Sequence, residues 1–488
     1  MARRIHHAKS VRSAGDELVL APFDSRSSTP LYRQVYDRIR AAIVAGALKT
    51  DSRLPSSRSL AAQLSISRAT VAYAYDLLSS DGYLSGKGAA GTFVRGRSAV
   101  PAGPSRSKAH ERDGASDKPS PARPFTIDIP AVDAFPKKIW VRLAKRRLTW
   151  TSMAAMALPD FQGLAALRQT IANRMSLLRG FSCSADQIFL TGGLHGAITL
   201  AAITLLRESD MVWVEDPGCD RVRDLLSMLR MTLLPVPVDR YGVDVGAGVK
   251  AGTDARLAVV TPCYQFPLGV MLSQQRRRAL ADWARSSDAW ILEYEDDVDF
   301  HFTGNPAPPL KAHDGAVRVL HAGAFGKALF PGLNLGYLVV PPALARRFDA
   351  SSRALQIRTS VINQQVVMDF VHQGHIGRHL NRMRKLYLDR RTALVRELSR
   401  HFAPPCRIQV LPGGLHVILW LDKRCDDTDV ADRAAVIGLA PYPLSRLTVR
   451  STHPPALLLG FANETDQSLP ANVAALAAIV SAKRRRPT

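Results

Sequence analysis

The chain has 488 residues, which is enough for more than one domain and for a large buried core. Hydrophobic residues make up 46% and charged residues 22%, so the composition is that of a globular protein and excludes a wholly disordered or collagen-like chain. The 65 Lys and Arg against 42 Asp and Glu give a formal net charge of +23, an excess that favours an acidic partner, nucleic acid before an anionic membrane.

The cysteines and the lengths of the apolar runs indicate the cellular compartment in which the protein works. The five cysteines are scattered and form no C-x-x-C pair, which argues against a disulfide framework or a metal site and favours a reducing environment. The basic N-terminus lacks the apolar stretch of a secretory signal. The longest apolar run, Leu194 to Leu206, has about 13 residues, against the roughly 20 that span a bilayer. We therefore expect a soluble, cytoplasmic protein that binds neither metal nor membrane.

Composition divides the chain into four parts. Residues 1–27 form an N-terminal tail, and residues 28–97 carry short helical patterns that end in a glycine-rich hairpin. Residues 98–124 contain Pro, Ser, Gly and charge but almost no large apolar side chain, so they predict a linker. From residue 125 to 488, apolar strands alternate with amphipathic helices.

The second part predicts a winged helix-turn-helix. Thr29-Pro30 is typical of a helix N-terminus, and the apolar residues after it keep helical spacing. Ser56 and Ser67 are each typical of a helix cap, and a tight turn separates the two short helices that they begin. Two strand-like segments then flank Ser85 to Gly91, which predicts a wing.

The strings LYRQVYDRIRAAIVAG, RLPSSRSLAAQLSISRATVAYAYDLL and DGYLSGKGAAGTFV resemble, over about 70 residues, the DNA-binding domain of GntR-family regulators. The resemblance implies a double-stranded DNA operator as partner. It assigns DNA contacts to Arg58, Ser67, Arg68, Thr70 and Lys87. Guanidinium groups can clamp phosphates or read guanine, and hydroxyls at a helix N-terminus suit phosphate oxygens. Taken singly, Arg58 and Lys87 could equally be solvated surface charges.

The fourth part predicts an α/β domain with a mainly parallel sheet, because strands and helices alternate along it. The predicted strands are 187–190, 211–214, 257–260, 290–292 and 317–320. In such sheets, ligands bind where the carboxyl ends of the strands meet the loops. We therefore expect the chemistry of this domain in the loops that follow these strands.

Several motifs of this part, in order, are similar to the aminotransferase-like domain of MocR-type regulators, which carry a GntR-type winged helix at the N-terminus. The strings are DFQG, EDPG, TPCYQFPLG, GAFGKALFPGLNLGYLVVP, GHIGRHLNRMRKLYLDRR, GGLH and SRL. The resemblance covers nearly the whole chain outside the tail and the linker. It implies a fold-type I aminotransferase fold, pyridoxal 5′-phosphate as cofactor, a small-molecule effector and a homodimer.

The resemblance also implies roles for single residues. In the family, the lysine at position 327 forms an internal aldimine with the cofactor. The residues expected around that cofactor are Lys327, Gly193, Leu194, Tyr264 and Tyr294. Arg446 matches the arginine that receives a substrate carboxylate, and Arg221 is a second candidate for that task.

The sequence departs from the family pattern at the cofactor. Ala324, Gly326 and Asn334 stand where the family has the Thr, Ser and Arg that cradle the phosphate. Tyr294 replaces the aspartate that pairs with the pyridine nitrogen, and Asp296 replaces the tyrosine that meets the phenolic oxygen. Without that aspartate the cofactor is a poor electron sink, so no catalytic residue is assigned and catalysis is not expected.

Three functions remain open at this stage. The first is a DNA-binding transcriptional regulator whose large domain senses pyridoxal phosphate or an amino-acid-like ligand. The second is a working aminotransferase that carries a winged helix. The third is a dimeric DNA binder whose pocket is vestigial. The departures weigh against the second function, and we expect the first.

Overall fold

A computed structural model gives the fold, and it describes residues 13–14, 17–18, 29–86, 88, 91–95, 122–153, 156, 160–252, 254–304, 306–313, 317–465 and 467–484. Most of the predicted tail, Lys87 and the predicted linker up to residue 121 lie outside these residues. The chain divides into two compact units, Met1–Lys118 and Pro119–Thr488. Among the described helices, none has the length and apolarity needed to cross a membrane.

The first unit contains the expected helices and wing. Its elements are β1 (Ser13–Ala14), β2 (Glu17–Leu18), α1 (Leu31–Val44), α2 (Ser57–Leu64), α3 (Arg68–Ser80), β3 (Leu84–Gly86) and β4 (Thr92–Val94). The Ser56 hydroxyl caps α2 by accepting the Ser59 amide at 3.0 Å, and the Ser67 hydroxyl caps α3 by accepting the Thr70 amide at 3.1 Å. Helix α1 begins one residue later than predicted, because Pro30 rather than Thr29 precedes its first turn.

A small apolar core holds the three helices together. Its fully buried members are Val35, Ile39, Leu60, Val71, Ala74 and Leu78. Between α2 and α3 the chain turns at Ser65, which has a φ of 54°. Strands β3 and β4 pair in antiparallel register, Leu84 opposite Val94, and form the wing.

The second unit begins with helices and then alternates strands with helices. Its helices are α4 (Lys137–Trp150), α5 (Ala165–Arg174), α6 (Gly193–Leu205), α7 (Asp220–Met228), α8 (Val245–Ala251), α9 (Gln274–Ser286), α10 (Ala345–Ala354), α11 (Val361–His372), α12 (His375–His401), α13 (Asp427–Val436) and α14 (Leu469–Arg484). Its strands are β5 (Ile188–Thr191), β6 (Met211–Asp216), β7 (Thr232–Asp239), β8 (Gly242–Val243), β9 (Leu257–Val260), β10 (Trp290–Glu295), β11 (Val319–Ala324), β12 (Gly336–Val339), β13 (Arg407–Gln409), β14 (His416–Trp420), β15 (Tyr442–Pro443) and β16 (Ala456–Gly460).

The large sheet has the order β5-β12-β11-β10-β9-β6-β7-β8. Strands β11, β10, β9, β6 and β7 run parallel, whereas β12 is antiparallel to both β11 and β5. The prediction of an α/β domain with a mainly parallel sheet is therefore confirmed. A second sheet, β13-β14-β16-β15, is antiparallel throughout.

Helices cover both faces of the large sheet. Successive residues of a strand point to opposite faces, and along β9 they join different apolar clusters: Ala258 and Val260 pack with α8 and α9, while Leu257 and Val259 pack with α6 and α7. Because both faces are closed, ligands can reach the sheet only at its ends. The loops after β9, β10 and β11 meet at one such end.

Candidate functional site

Three of the predicted DNA contacts, Ser67, Arg68 and Thr70, lie at the N-terminus of α3. Arg68 and, on α2, Arg58 are exposed and have no side-chain partner among the described residues. Ser67 and Thr70 are joined by a hydroxyl–hydroxyl contact of 2.8 Å in addition to the helix cap. Two guanidinium groups free to bind phosphate thus lie on the two helices of the motif. Lys87 lies outside the described residues.

Sequence reasoning missed Arg53, which lies beside the wing. Its backbone forms a bridge to Phe93 of β4. Its side-chain Nε is 3.0 Å from the position that a Cβ on Gly91 would occupy. The residue belongs to the motif that carried the resemblance, but only the tertiary structure brings it to the wing. An exposed guanidinium there adds a further positive charge to the predicted DNA interface.

The second candidate site is a cavity of about 200 Å³ in the large unit. It lies where the predicted loops meet: Thr261 follows β9, Tyr294 to Asp297 end β10, and Lys327 follows β11. The N-terminus of α6 forms another wall through Gly193 and Leu194. Of the seven residues predicted for the cofactor and the carboxylate, six line this cavity: Lys327, Gly193, Leu194, Tyr264, Tyr294 and Arg221.

Lys327 is buried at the centre of a cluster of carboxylates. Its Nζ lies 2.8 Å from Asp128 Oδ1, 3.0 Å from Asp296 Oδ2 and 3.0 Å from Asp297 Oδ1. Burial by itself disfavours an ammonium ion, but the attraction of Asp128, Asp296 and Asp297 is larger and raises the pKa of Lys327 well above its ordinary value. The side chain is therefore held as a cation.

The three carboxylates respond differently to this arrangement. Burial opposes the charge on Asp128, but Lys327 and a second cation, Arg221, lower its pKa to about 2. Burial and the neighbouring carboxylates raise the pKa of both Asp296 and Asp297 against the pull of Lys327. Asp128 is thus firmly ionised, whereas Asp296 and Asp297 compete for one cation.

Two tyrosines also line the cavity. Tyr294 is 8% exposed, and burial raises the pKa of its phenol well above the ordinary value, so the hydroxyl stays neutral. Within the described part of the chain that hydroxyl has no hydrogen-bond partner. Burial also raises the pKa of Tyr264, to about 12. A Cβ on Gly413 would come within 2.7 Å of the Tyr264 ring, so a glycine is needed where that loop crosses it.

The end of the cavity at α6 is narrowed by Asn334. The Asn334 Oδ1 lies 3.0 Å from the position of a Cβ on Gly193, whose φ of +69° also favours glycine. The first amides of α6 remain the local positive end of a helix dipole. Lys and Arg in the lining are represented by Lys327 and Arg221, and both are engaged with Asp128.

The structure does not bring Arg446 to the cavity. Its side chain is 47% exposed and pairs with Asp432 at 2.7 Å. The neighbouring Arg223 instead uses its guanidinium to hold the local backbone, donating to the carbonyls of Gly218, Arg446 and Leu447. Of the two predicted carboxylate-binding arginines, only Arg221 therefore lies at the cavity.

Behind the cavity wall, buried charges are paired with one another. The Arg179 Nε donates to Glu295 at 2.8 Å, and the Cys263 thiol lies 3.0 Å from the same carboxylate. Glu293 accepts the backbone amide of Lys311 at 3.0 Å and is 3.1 Å from the ring of His321. Sequence reasoning missed Asp128, Arg179 and Asp297 as parts of this site, because only the folded chain brings them to Lys327 and Glu295.

Comparisons with known proteins identify the family of each unit. Residues 31–94 match the gntR family of bacterial regulatory proteins, and residues 138–440 match the class I and II aminotransferases. The probable rhizopine catabolism regulatory protein MocR of Rhizobium meliloti is 32% identical over 90% of this chain and 91% of its own length. The chain is a MocR-type regulator of the GntR family.

A second curated regulator and a solved aminotransferase structure are also similar to this chain. The pyridoxine biosynthesis transcriptional regulator PdxR of Corynebacterium glutamicum is 29% identical over 90% of this MocR-type chain and 94% of its own length. The kynurenine aminotransferase of Pyrococcus horikoshii is 22% identical and covers 75% of this chain and 92% of its own length, with a TM-score of 0.68. At this identity the likeness establishes the aminotransferase fold of the large unit and nothing more.

Proposed function

We propose that this regulator binds a DNA operator through residues 28–97 and responds to an amino-acid-like small molecule held in the cavity around Lys327. The observation that carries the effector role is the position of that cavity: it lies at the carboxyl ends of β9, β10 and β11, where α/β sheets bind ligands. Residues 98–124 would connect the DNA-binding part to the effector part at 125–488. Arg58, Ser67, Arg68, Thr70 and Lys87 are the proposed DNA contacts.

We further propose that the large unit has no aminotransferase activity and does not hold pyridoxal phosphate. The fold is one that binds this cofactor, but three features around Lys327 do not fit it. The lysine is held as an ammonium ion by Asp128, Asp296 and Asp297, whereas attack on an aldehyde needs a free amine. At the phosphate end the lining has Asn334, backbone and His195, and burial lowers the pKa of His195, which disfavours its charged form. Tyr294, a neutral phenol, replaces the acid expected at the ring nitrogen.

A homodimer is the third part of the proposal. Large apolar side chains are exposed along α4 and just after it: Val141 (63%), Leu148 (60%), Trp150 (79%) and Met153 (83%). Clustered exposed apolar residues mark protein interfaces, and the winged helices of two copies would engage two half-sites. Sedimentation of the wild type should give twice the chain mass, and Val141→Glu with Leu148→Glu should give single chains.

Selection of operator fragments from genomic DNA with the full-length protein tests the regulatory proposal. A specific sequence should emerge, and Arg68→Ala should abolish its gel shift while sedimentation stays unchanged. Arg433→Ala, which removes an arginine on α13 of the large unit, provides the matched control and should shift the fragment normally. Failure to select any sequence, or a normal shift by Arg68→Ala, would contradict the assignment of α3 as the recognition helix.

A further inference from the structure

The charges that line the cavity do not balance. Four carboxylates face it, those of Asp128, Glu295, Asp296 and Asp297, and two cations, Lys327 and Arg221. Glu295 is compensated from behind by Arg179. Lys327 and Arg221 therefore face the remaining three carboxylates, which gives an excess of one negative charge when all three are ionised. A dianionic phosphate would deepen this imbalance, whereas one positive charge would remove it.

The second observation is the free hydroxyl of Tyr294. This side chain is more than nine-tenths buried and lines the cavity, yet its oxygen has no hydrogen-bond partner among the residues that the structure describes. The oxygen is not among the buried unpaired atoms of the described residues, so it is open to the cavity and available to a polar group of a ligand. Tyr264 contributes a second phenol to the same wall.

The rest of the lining sets the size and the shape of the ligand. Leu194, Val222, Phe266 and Leu335 supply apolar surface beside the charged cluster. The volume of about 200 Å³ is below the range of about 300–1,000 Å³ that holds drug-sized molecules. The cavity thus combines hydrogen-bond acceptors, one excess negative charge and a short apolar wall.

From these features we propose that the cavity binds a small primary ammonium ion with a short aliphatic chain, without covalent attachment to Lys327. The ammonium group donates to Asp296, Asp297 and the Tyr294 oxygen, and the aliphatic chain lies against Leu194 and Phe266. This inference rests on the proposed effector role of the cavity and names the chemical class of the effector. Unlike an aldehyde, an ammonium ion forms no covalent bond with Lys327.

Calorimetric titration of the full-length protein with n-butylammonium chloride tests the proposal, with 1-butanol as the neutral probe of the same shape. At matched ionic strength we expect the ammonium ion to bind at least about 10-fold more tightly than the alcohol, because hydrogen bonds to charged groups are the stronger ones. Equal binding of the two probes, or no binding of the ammonium ion, would overturn the inference. This comparison uses only the wild type, so it does not depend on whether a variant folds.

Variants then locate the binding site. Asp296→Asn should lower the association constant of n-butylammonium at least about 10-fold, and Tyr294→Phe should lower it several-fold. Asp432→Asn removes a carboxylate that pairs with Arg446 away from the cavity and should leave binding unchanged. Circular dichroism and thermal unfolding verify the fold of each variant. Unchanged binding in folded Asp296→Asn and Tyr294→Phe would place the ammonium ion elsewhere and refute the assignment.

Pyridoxal phosphate is tested separately. The protein is mixed with the cofactor, treated with borohydride and digested, and the peptide that contains Lys327 is analysed by mass. We expect no added pyridoxyl mass on that peptide, and its presence would overturn the inference. The operator selection described above separates the two proposals. If the protein binds a specific DNA sequence but does not bind the ammonium ion, only the proposed chemical class of the ligand is refuted. Ammonium binding that leaves the operator shift unchanged would instead remove the effector role of the cavity.

Discussion

Lys327 lies between three carboxylates, so replacing it should leave them without their shared counter-charge. For Lys327→Met we expect a loss of about 3–5 kcal/mol in the free energy of unfolding at pH 8, the cost of breaking a buried ion pair. Urea unfolding measures it. Lys138→Met, at an exposed position of α4, should change stability by less than about 0.5 kcal/mol.

The loss of stability in Lys327→Met should depend on pH, because the three carboxylates around Lys327 titrate. In the wild type, Lys327 and Arg221 lower the pKa of Asp128 to about 2, so its contribution to stability is present above its ordinary value near 3.8 and is lost as the pH falls toward 2. In Lys327→Met, the pKa of Asp128 rises, as do those of Asp296 and Asp297. The unpaired carboxylates are then protonated at low pH at little cost, and the loss should be smaller at pH 5 than at pH 8. An equal loss at both values would show that packing rather than charge is responsible.

Lys327, Tyr264 and Tyr294, which the motifs assign to one site, line one cavity, because the order of strands and loops determines which strand ends meet. They do not predict Asp128, which lies in a bend of a segment without periodicity and has a φ of 65°. Arg446 was expected at the cavity, but its partner Asp432 lies on α13, a contact that no local pattern encodes. Ion pairs between residues that are distant in the sequence are thus the part of the site that the sequence does not predict.

At the scale of elements, the Ser67 hydroxyl at the start of α3 has two roles that substitutions can separate. It caps the helix at 3.1 Å and is a proposed contact to DNA phosphate. Ser67→Ala should destabilise the helix by about 1 kcal/mol, whereas Ser67→Asp should keep the cap, since aspartate is an equally good N-cap residue. Near a phosphate, however, the added negative charge should repel DNA. We therefore expect Ser67→Asp to be as stable as the wild type but to lose the operator shift, and retention of the shift would exclude the phosphate contact.

The segment 122–131, which includes the last three residues of the predicted linker, is the first described part of the large unit, and it is attached to the rest of that unit at several points. The Phe125 amide donates to Glu464 at 2.7 Å, and the Tyr387 hydroxyl lies 2.9 Å from the Ala131 amide, which donates to it. Between these anchors, Asp128 reaches into the cavity to Lys327 and Arg221. A cation that binds Asp296 and Asp297 competes with Lys327 for them, and we expect it to change the ion pair between Lys327 and Asp128 in the segment that continues from the linker.

Asp128→Asn tests this connection. We expect faster amide hydrogen exchange in residues 122–131 and a weaker effect of n-butylammonium on operator binding, because the amide no longer attracts Lys327. Asp133→Asn is the control, since Asp133 lies at the end of the same stretch but pairs with Arg390 outside the cavity lining. If exchange in Asp128→Asn equals that of the wild type, the Asp128 ion pairs do not hold the segment.

At the scale of the whole molecule, the net charge of +23 pointed to nucleic acid but could not say which surface binds it. Residues 1–124 hold 20 Lys and Arg against 10 Asp and Glu, so more than half of the excess lies in the larger remainder. The α/β architecture was predictable because strand and helix patterns alternate over long stretches. The distribution of charge over the folded surface was not predictable from the sequence. Many of the basic residues outside the winged helix form ion pairs, such as Arg147 with Asp369.

The salt dependence of operator binding distinguishes a DNA-contacting cation from a solvated one. Each phosphate contact contributes about 0.9 to the slope of log K against log salt. Arg58 on α2 is exposed and has no partner in the described residues, so Arg58→Gln should flatten the slope by about that amount. Lys138→Gln on α4 also removes one exposed charge, but because it lies in the large unit we expect the slope to stay unchanged. A flatter slope for Lys138→Gln would instead mean that the operator also contacts the large unit, and would give the remaining positive charge a function in DNA binding.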